Sequence, residues 1–222
     1  VCFLGPSGCG KTTLLMCIAG LIAPSGGRVA VKSKVVDRPP PDLVLVFQEY
    51  NRSLFAWRTV LGNVLFGLEA KGRRGRAAED RARRLLGLVG LAGFERHYPW
   101  QLSGGMQQRV AIARALMRSP SLLLMDEPFG ALDAMTREQM NLELQKISMA
   151  TSATVIFVTH SIAEAVFLSD RVMVMTGRPA ILKEVVEIDI PRPRSLEMIA
   201  SGQFGGLVSH LRQLFDVKAD TT

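Results

Sequence analysis

The sequence predicts an α/β fold: an open, largely parallel sheet flanked by helices, with a mostly helical lobe inserted into it. Three observations carry that expectation. Short apolar runs of strand length alternate with helical stretches along most of the chain. Four of the runs end abruptly in a polar or glycine-rich element, at Gly5, Gln48, Asp126 with Glu127, and His160. Ligands of open parallel sheets gather outside the carboxyl ends of the strands, so these four points are expected to share one crevice. Between about Asn51 and Tyr98 the strand rhythm stops, and helical stretches punctuated by Gly62, Gly67, Gly72, Gly75, Gly87, Gly90 and Gly93 take over. A chain of 222 residues, 48% of them hydrophobic, can bury one core and carry such a lobe.

The elements follow in order. Val1 to Leu4 reads as the end of a buried strand, and a helix from Thr12 to Ala19 is closed by Gly20. Gly26 and Gly27 turn the chain into a short strand, Arg28 to Val31. Three prolines at 39–41 then break structure before the apolar run Leu43 to Phe47. Ser103 reads as the N-cap of a helix running to about Met117. Leu122 to Met125 is a buried strand. The stretch from Thr136 to Ala150 is amphipathic, with Met140, Leu144 and Ile147 on one stripe. Val155 to Val158 is a β-branched strand followed by a short helix, and Arg171 to Met175 and Ile181 to Ile190 read as closing strands. From Pro191 the rhythm is lost, apart from a helical patch near Leu207 to Phe215. The expected division is a core of 1–50 and 118–190, a helical lobe of 51–117 and a tail of 191–222.

The chemistry begins at Gly5, Pro6, Ser7, Gly8, Cys9, Gly10, Lys11, Thr12 and Thr13. The pattern is GxxxxGK[ST], placed between a strand and a helix, where backbone N–H groups and the helix N-terminus can converge on a phosphate. Lys11 then reaches the β- and γ-phosphates, and the Thr12 hydroxyl can ligate Mg²⁺. Asp126, at a strand end, supplies a carboxylate to the same metal, and Gln48 a neutral ligand for metal or water. Glu127 is the candidate general base for a water, a role worth about 10²–10⁴ in rate. His160 is placed to hydrogen-bond the γ-phosphate. Cys9 lies beside Lys11 and a helix N-terminus, a setting that favours its thiolate. Ser103, Gly104 and Gly105 form a second anion-binding helix end. One nucleotide already has a cradle, so a second one suggests two-fold pairing, each copy closing over the partner's nucleotide. Taken alone, the tripeptide also fits a capped helix with a flexible lead-in.

Together these residues resemble the ATP-binding cassette family over nearly the whole chain. Gly5 to Thr12 looks like its Walker A, Gln48 its Q-loop, Leu102 to Arg109 its signature, Leu122 to Glu127 its Walker B, Ala131 to Asp133 its D-loop, and His160 its switch histidine. The resemblance implies a P-loop NTPase (RecA-like) core whose helical lobe carries the signature. It also implies ATP and Mg²⁺ as cofactors, and adds Asp133 to the nucleotide-site residues. The family's first strands and its adenine-stacking aromatic lie upstream of Walker A, so the domain is expected to be N-terminally truncated. Phe55 to Val60, Met106, Phe129 to Asp133 and Pro191 to Arg194 are similar to the ATPases of nitrate, sulfonate and taurine-type importers.

That resemblance implies a homodimer of ATPase subunits on the cytoplasmic face of the cell membrane, held peripherally by transmembrane permease subunits and served indirectly by a solute-binding protein. Leu54 to Trp57 fits a docking surface and ordinary lobe core equally. No apolar run is long enough to span a bilayer and no signal peptide opens the sequence, so a soluble chain is expected. Cys2, Cys9 and Cys17 cluster at one end with none elsewhere to pair with, which points to reduced thiols and a cytosolic setting. The net charge is +7, and seven basic residues face two acidic ones between Lys71 and Arg84. No stacking aromatics interleave with them, so a solvated helix face is expected there and nucleic acid is not. The alternative is a cassette ATPase acting on nucleic acid or the ribosome. The charge favours it; the lack of a coiled-coil insertion and of a second tandem cassette speaks against it.

Overall fold

The computed structural model describes residues 1–47, 53–69, 72, 75–130, 132–151 and 153–216. Its main sheet has six strands in the order β4 (Leu43–Val46), β5 (Leu122–Asp126), β6 (Thr154–Thr159), β1 (Cys2–Leu4), β7 (Arg171–Thr176) and β8 (Ile181–Glu187). The first five run parallel and β8 returns antiparallel to β7, with a bulge between Val174 and Met175. β1 and β5 are buried along their whole length, because both faces of the central sheet are covered, whereas β8 is mostly exposed and carries Lys183, Glu184 and Glu187. Along β5 the side chains alternate: Leu122 and Leu124 pack with Phe3, Val158 and Leu15, while Leu123 and Met125 join the larger cluster on the other face. Leu15 belongs to α1 (Lys11–Ile18), which covers the smaller face.

Three expectations need correction. The strand read at Arg28 to Val31 shortens to β2 (Ala30–Val31), which pairs with β3 (Lys34–Val35) in a hairpin apart from the main sheet. Lys32 and Ser33 both take positive φ in its turn, which ends the extended run. The last strand stops at Glu187 rather than Ile190. The tail is better ordered than its composition suggests, for α7 (Gly202–Asp216) buries Phe204 and Leu211 in the main core. Arg194 fixes that tail. The residue is 2% exposed; its guanidinium donates to the carbonyls of Ile190, Val166, Phe167 and Ser169 at 2.8–3.0 Å, while its backbone exchanges two hydrogen bonds with the Gln145 amide.

Between β4 and β5 lie α2 (Val60–Glu69), α3 (Arg76–Leu88) and α4 (Gly104–Leu116). Buried Asn63 on α2 shapes the loop before it: its amide accepts from Phe55 N at 2.8 Å and donates to the carbonyls of Phe55, Arg58 and Thr59 at 3.1 Å each. Phe55 is thereby held edge-on to Phe66, 4.6 Å between ring centres. Two further helices, α5 (Ala134–Ala150) and α6 (Ile162–Leu168), lead into and away from β6.

Candidate functional site

The register of the parallel strands builds the site. Leu4 lies opposite Thr159, and Asp126 opposite Val158, so the carboxyl ends of β1, β5 and β6 finish side by side. Gly5, Glu127 and His160, each one residue beyond a strand end, therefore meet at one edge.

The phosphate loop takes its shape from Gly8 and Gly10, at φ 76° and 110°, torsions that L side chains rarely adopt. Gly5 is needed for space: a Cβ there would lie 2.6 Å from the Met175 carbonyl oxygen. Gly10 caps α1 without any side-chain hydrogen bond, and no acidic residue occupies the first turn, so the first N–H groups keep their capacity for an anion. Lys11 is buried, and its ammonium donates to the carbonyls of Gly5 and Pro6 at 2.8 Å each. An ammonium has three donors, so one more can serve a phosphate oxygen. Thr12 and Thr13 lie exposed on the first turn.

Asp126 faces this loop. It is 6% exposed and lies beside the Thr12 hydroxyl, while Oδ1 has no partner among the described residues. Burial, reinforced by neighbouring Glu127, pushes its carboxyl above the usual range, against the pull of Thr12 and Lys11. An orphaned buried carboxylate oxygen beside a threonine hydroxyl fits a hard divalent cation, which takes one or two protein carboxylates alongside phosphate oxygens. Glu127 stands at φ 40°, a conformation uncommon for a non-glycine residue, while its backbone N–H still bonds the Val158 carbonyl at 3.0 Å. Its Oε2 lies 3.2 Å from Nδ1 of half-exposed His160. Gln48, the remaining expected ligand, lies outside the described residues, as does Ala131 before the Asp133 loop.

Ser103 and Gly104 are exposed at the start of α4, and the Ser103 hydroxyl accepts from Met106 N at 3.3 Å. No hydrogen bond joins Ser103, Gly104 or Gly105 to the phosphate loop of the same chain among the described residues. Asp133 likewise caps α5, accepting from Thr136 N at 3.0 Å, and these bonds hold its carboxyl below the usual range. Strand-end geometry thus gathers Gly5 to Thr13, Asp126, Glu127 and His160, and leaves Ser103 to Gly105 outside that group.

The chain matches the ABC transporter family over residues 1–130. It is also 56% identical over 191 residues to an uncharacterized ABC transporter ATP-binding protein of Methanocaldococcus jannaschii, covering 86% of this chain and 71% of that one. The chain belongs to the ABC transporter family. It is an ABC-type ATPase, with ATP as its nucleotide. The taurine import ATP-binding protein TauB of Rhizobium johnstonii is 45% identical over 224 residues, covering 98% of this chain and 84% of the relative. A dimeric ATP-binding cassette bound to ADP and Pi in a post-hydrolysis state superposes with a TM-score of 0.71 at 33% identity, over 86% of this chain and 85% of that one.

In this ABC ATPase the structure also brings up residues that sequence reasoning passed over. Arg178, in the turn between β7 and β8, donates from Nη2 to the Ser7 carbonyl at 2.7 Å and lies against Gly8. Ala180 N bonds the Cys9 carbonyl at 3.2 Å, so this turn buttresses the phosphate loop. Glu164 and Arg137 back the strand end that carries His160. Gln108 of α4 hydrogen-bonds the Pro128 carbonyl just beyond Glu127. None of these contacts has a spacing signal, because each spans from 5 to 171 residues of chain. Cys9 is 4% exposed and belongs to the apolar cluster that holds Phe3 and Leu15. Trp100 stacks on Tyr98 in the turn before Ser103, 4.5 Å between ring centres.

Proposed function

We propose that this ABC ATPase is the energy-coupling subunit of a membrane importer, in which two copies close over two ATP molecules and hydrolysis reopens them. The observation that carries the catalytic part is the 3.2 Å approach of Glu127 to His160 at the strand edge beside the phosphate loop. In this reading the loop's N–H groups and Lys11 hold the triphosphate, and Glu127 Oε2 accepts the proton of the attacking water. His160 orients Glu127 and contacts the γ-phosphate. Thr12 and Asp126, with Gln48, would hold Mg²⁺, which would neutralise charge on the phosphate oxygens. Phosphate then leaves with ADP behind it, and the pair opens.

Ser103, Gly104 and Gly105 serve the partner copy's nucleotide, and the dimeric relative supports that role. ATP favours the closed pair because it binds both copies there, a population shift that docked permease subunits follow. The permease site in this reading is the groove between β4 and the helical lobe, lined by Val44, Val46, Phe55, Phe66, Arg114 and Arg118. Its aromatic floor and two arginines suit an amphipathic helix. The lobe is residues 51–117, working on a core of 1–50 and 118–190. Among the described residues no helix is long and apolar enough to cross a membrane, and in this reading the chain reaches the cytoplasmic face through the permease. The taurine import relatives support a small sulfonate-like anion as cargo, delivered by a solute-binding protein.

Glu127→Gln tests the catalytic reading. The amide keeps the shape and removes the base, so hydrolysis should fall by about 10²–10⁴ while ATP binding persists. Hydrolysis within about twofold of wild type would remove Glu127 from its role, since a base contributes far more.

A further inference from the structure

A continuous run of contacts inside one chain joins the Ser103 helix end to His160, and it passes through the first turn of α5. The first link is steric. A Cβ on Gly105 would lie 3.0 Å from Thr136 Cγ2, so the start of α4 rests directly on that turn. The next residue, Arg137, reaches two ways. Its Nη2 donates to the Leu132 carbonyl at 2.8 Å, in the loop ending at Asp133, and its Nε faces Glu164 Oε1 at 3.6 Å. Glu164 is 6% exposed, and its other oxygen accepts from the Thr159 hydroxyl at 2.7 Å. Thr159 Oγ1 in turn accepts from Ser161 N at 3.0 Å, and the Ser161 hydroxyl from Glu164 N at 3.3 Å. His160 is therefore clamped between two residues that both answer to Glu164.

Two features separate this arrangement from ordinary packing. Arg137 Nε is buried and makes no hydrogen bond among the described residues, because 3.6 Å is too long for one. A shift of α5 by a few tenths of an ångström toward Glu164 would make that bond. Glu164 is also costly where it is: burial pushes its carboxyl above the usual range, and Thr159, Arg137 and His160 only partly offset this. Burying a carboxylate beside an arginine at incomplete contact does not serve stability, since desolvation outweighs a weakened pair.

We propose that Arg137 and Glu164 are positioning residues that carry closure of the Ser103–Gly105 end on a partner's nucleotide to His160 of the same chain, making hydrolysis at each site depend on occupancy of the other. This rests on the reading that two copies close over ATP. Closure moves the first turn of α5, Arg137 completes its bond to Glu164, and Glu164 sets Thr159, Ser161 and the imidazole between them. No covalent bond changes in the relay.

The test measures steady-state hydrolysis against ATP concentration for the full chain, Glu164→Gln, Arg137→Met, Arg137→Lys and the double variant Arg137→Met with Glu164→Gln. Glutamine keeps the shape and the Thr159 bond but loses the charge Arg137 needs. The expected result is a kcat lower by about 10- to 100-fold, the scale of a small misplacement, with the KM for ATP within about twofold. The Hill coefficient falls toward one, the double variant is no worse than the poorer single one, and lysine restores part of the rate. Unchanged kcat and Hill coefficient in folded Glu164→Gln, or additive losses in the double variant, would overturn the relay. So would lowered thermal stability with normal kinetics. Sedimentation of Glu127→Gln with saturating ATP separates the two layers. Failure to pair removes the closure reading and the relay with it, whereas pairing with unaltered kinetics in the Arg137 and Glu164 variants removes the relay alone.

Discussion

Asp126 and Glu127 are adjacent and are held differently. The Asp126 carboxyl is buried with one oxygen orphaned, and burial raises its pKa from the ordinary 3.8. The sign of the pH effect follows. Between 3.8 and the raised value the folded state holds the proton more tightly than the unfolded chain, so this group's contribution to stability is complete below about 3.8 and is lost as pH rises through the folded value. Asp126→Asn removes the ionisation. At pH 7 the variant should be more stable by about 1–3 kcal/mol, the usual penalty of an unsatisfied buried polar group, and melt roughly 2–12 °C higher for a chain of this size. The gain should disappear near pH 4, and Mg²⁺-dependent hydrolysis should be lost. Melting curves at the two pH values check this, and a lower melting temperature at pH 7 would mean that the carboxylate is better satisfied than its contacts indicate. A residue that costs stability and repays it only through a ligand belongs to a working site.

At the scale of elements, helix packing decides the effect of a glycine. Gly67 on α2 faces α4, where an added Cβ would stand 2.7 Å from the Arg114 carbonyl oxygen and 2.9 Å from Met117 Cβ. Replacing glycine by alanine in a helix gains about 1 kcal/mol of propensity. Forcing a methyl into a filled interface costs about 1–3 kcal/mol, and here one opposing atom is backbone that cannot rotate away. Gly67→Ala should therefore be net destabilising. Gly87 on α3 supplies the opposite case, for nothing lies within 4 Å of its added Cβ. Gly87→Ala should stabilise by up to about 1 kcal/mol. Denaturant melts of the two variants give opposite shifts if α2 and α4 pack as described; shifts of the same sign would contradict that packing. The close α2–α4 contact bears on function as well. It joins the groove around Phe55 and Phe66 to the helix that begins after Ser103, and on the proposed reading a push on one would be felt at the other.

For the whole molecule, the division of the site between two edges matters most. Gly5 to Thr13, Asp126, Glu127 and His160 converge, while Ser103 and Gly104 are exposed, and Ser103 to Gly105 make no hydrogen bond to their own phosphate loop among the described residues. In the function proposed above, such an arrangement would be completed by a second copy related by two-fold symmetry. Ser103→Arg, made in the Glu127→Gln background, should abolish ATP-dependent pairing while leaving ATP binding by the single chain intact, because on the proposed reading an arginine there would fill the space taken by the partner's phosphates. Sedimentation with and without ATP reads the outcome. Loss of ATP binding by the single chain would instead put Ser103 in its own chain's site. The tail supports the same frame from behind. Arg194 gives donors to the carbonyls at the end of α6, the helix that starts beside His160, and so ties that helix to the strand region on its other side.

What the sequence determined by itself was the local chemistry. The phosphate loop is legible because its donors, its glycine torsions and its helix lie within a dozen consecutive residues, and the β5 run announces its buried strand and the carboxylates that end it. Periodicity reports which face of an element is buried. It does not report what lies against that face, and long-range hydrogen bonds leave no periodic mark. Only the tertiary structure could therefore seat β1 between β6 and β7, which aligns Leu4 with Thr159 and brings Glu127 to His160. The same holds for the return of β8 as an antiparallel strand, for Arg178 reaching Ser7 across 171 residues, and for the carbonyl cage that makes Arg194 a core residue. The partners of Arg178 and Arg194 lie well away along the chain and are brought near only when the elements pack together, a condition that no single stretch of sequence contains.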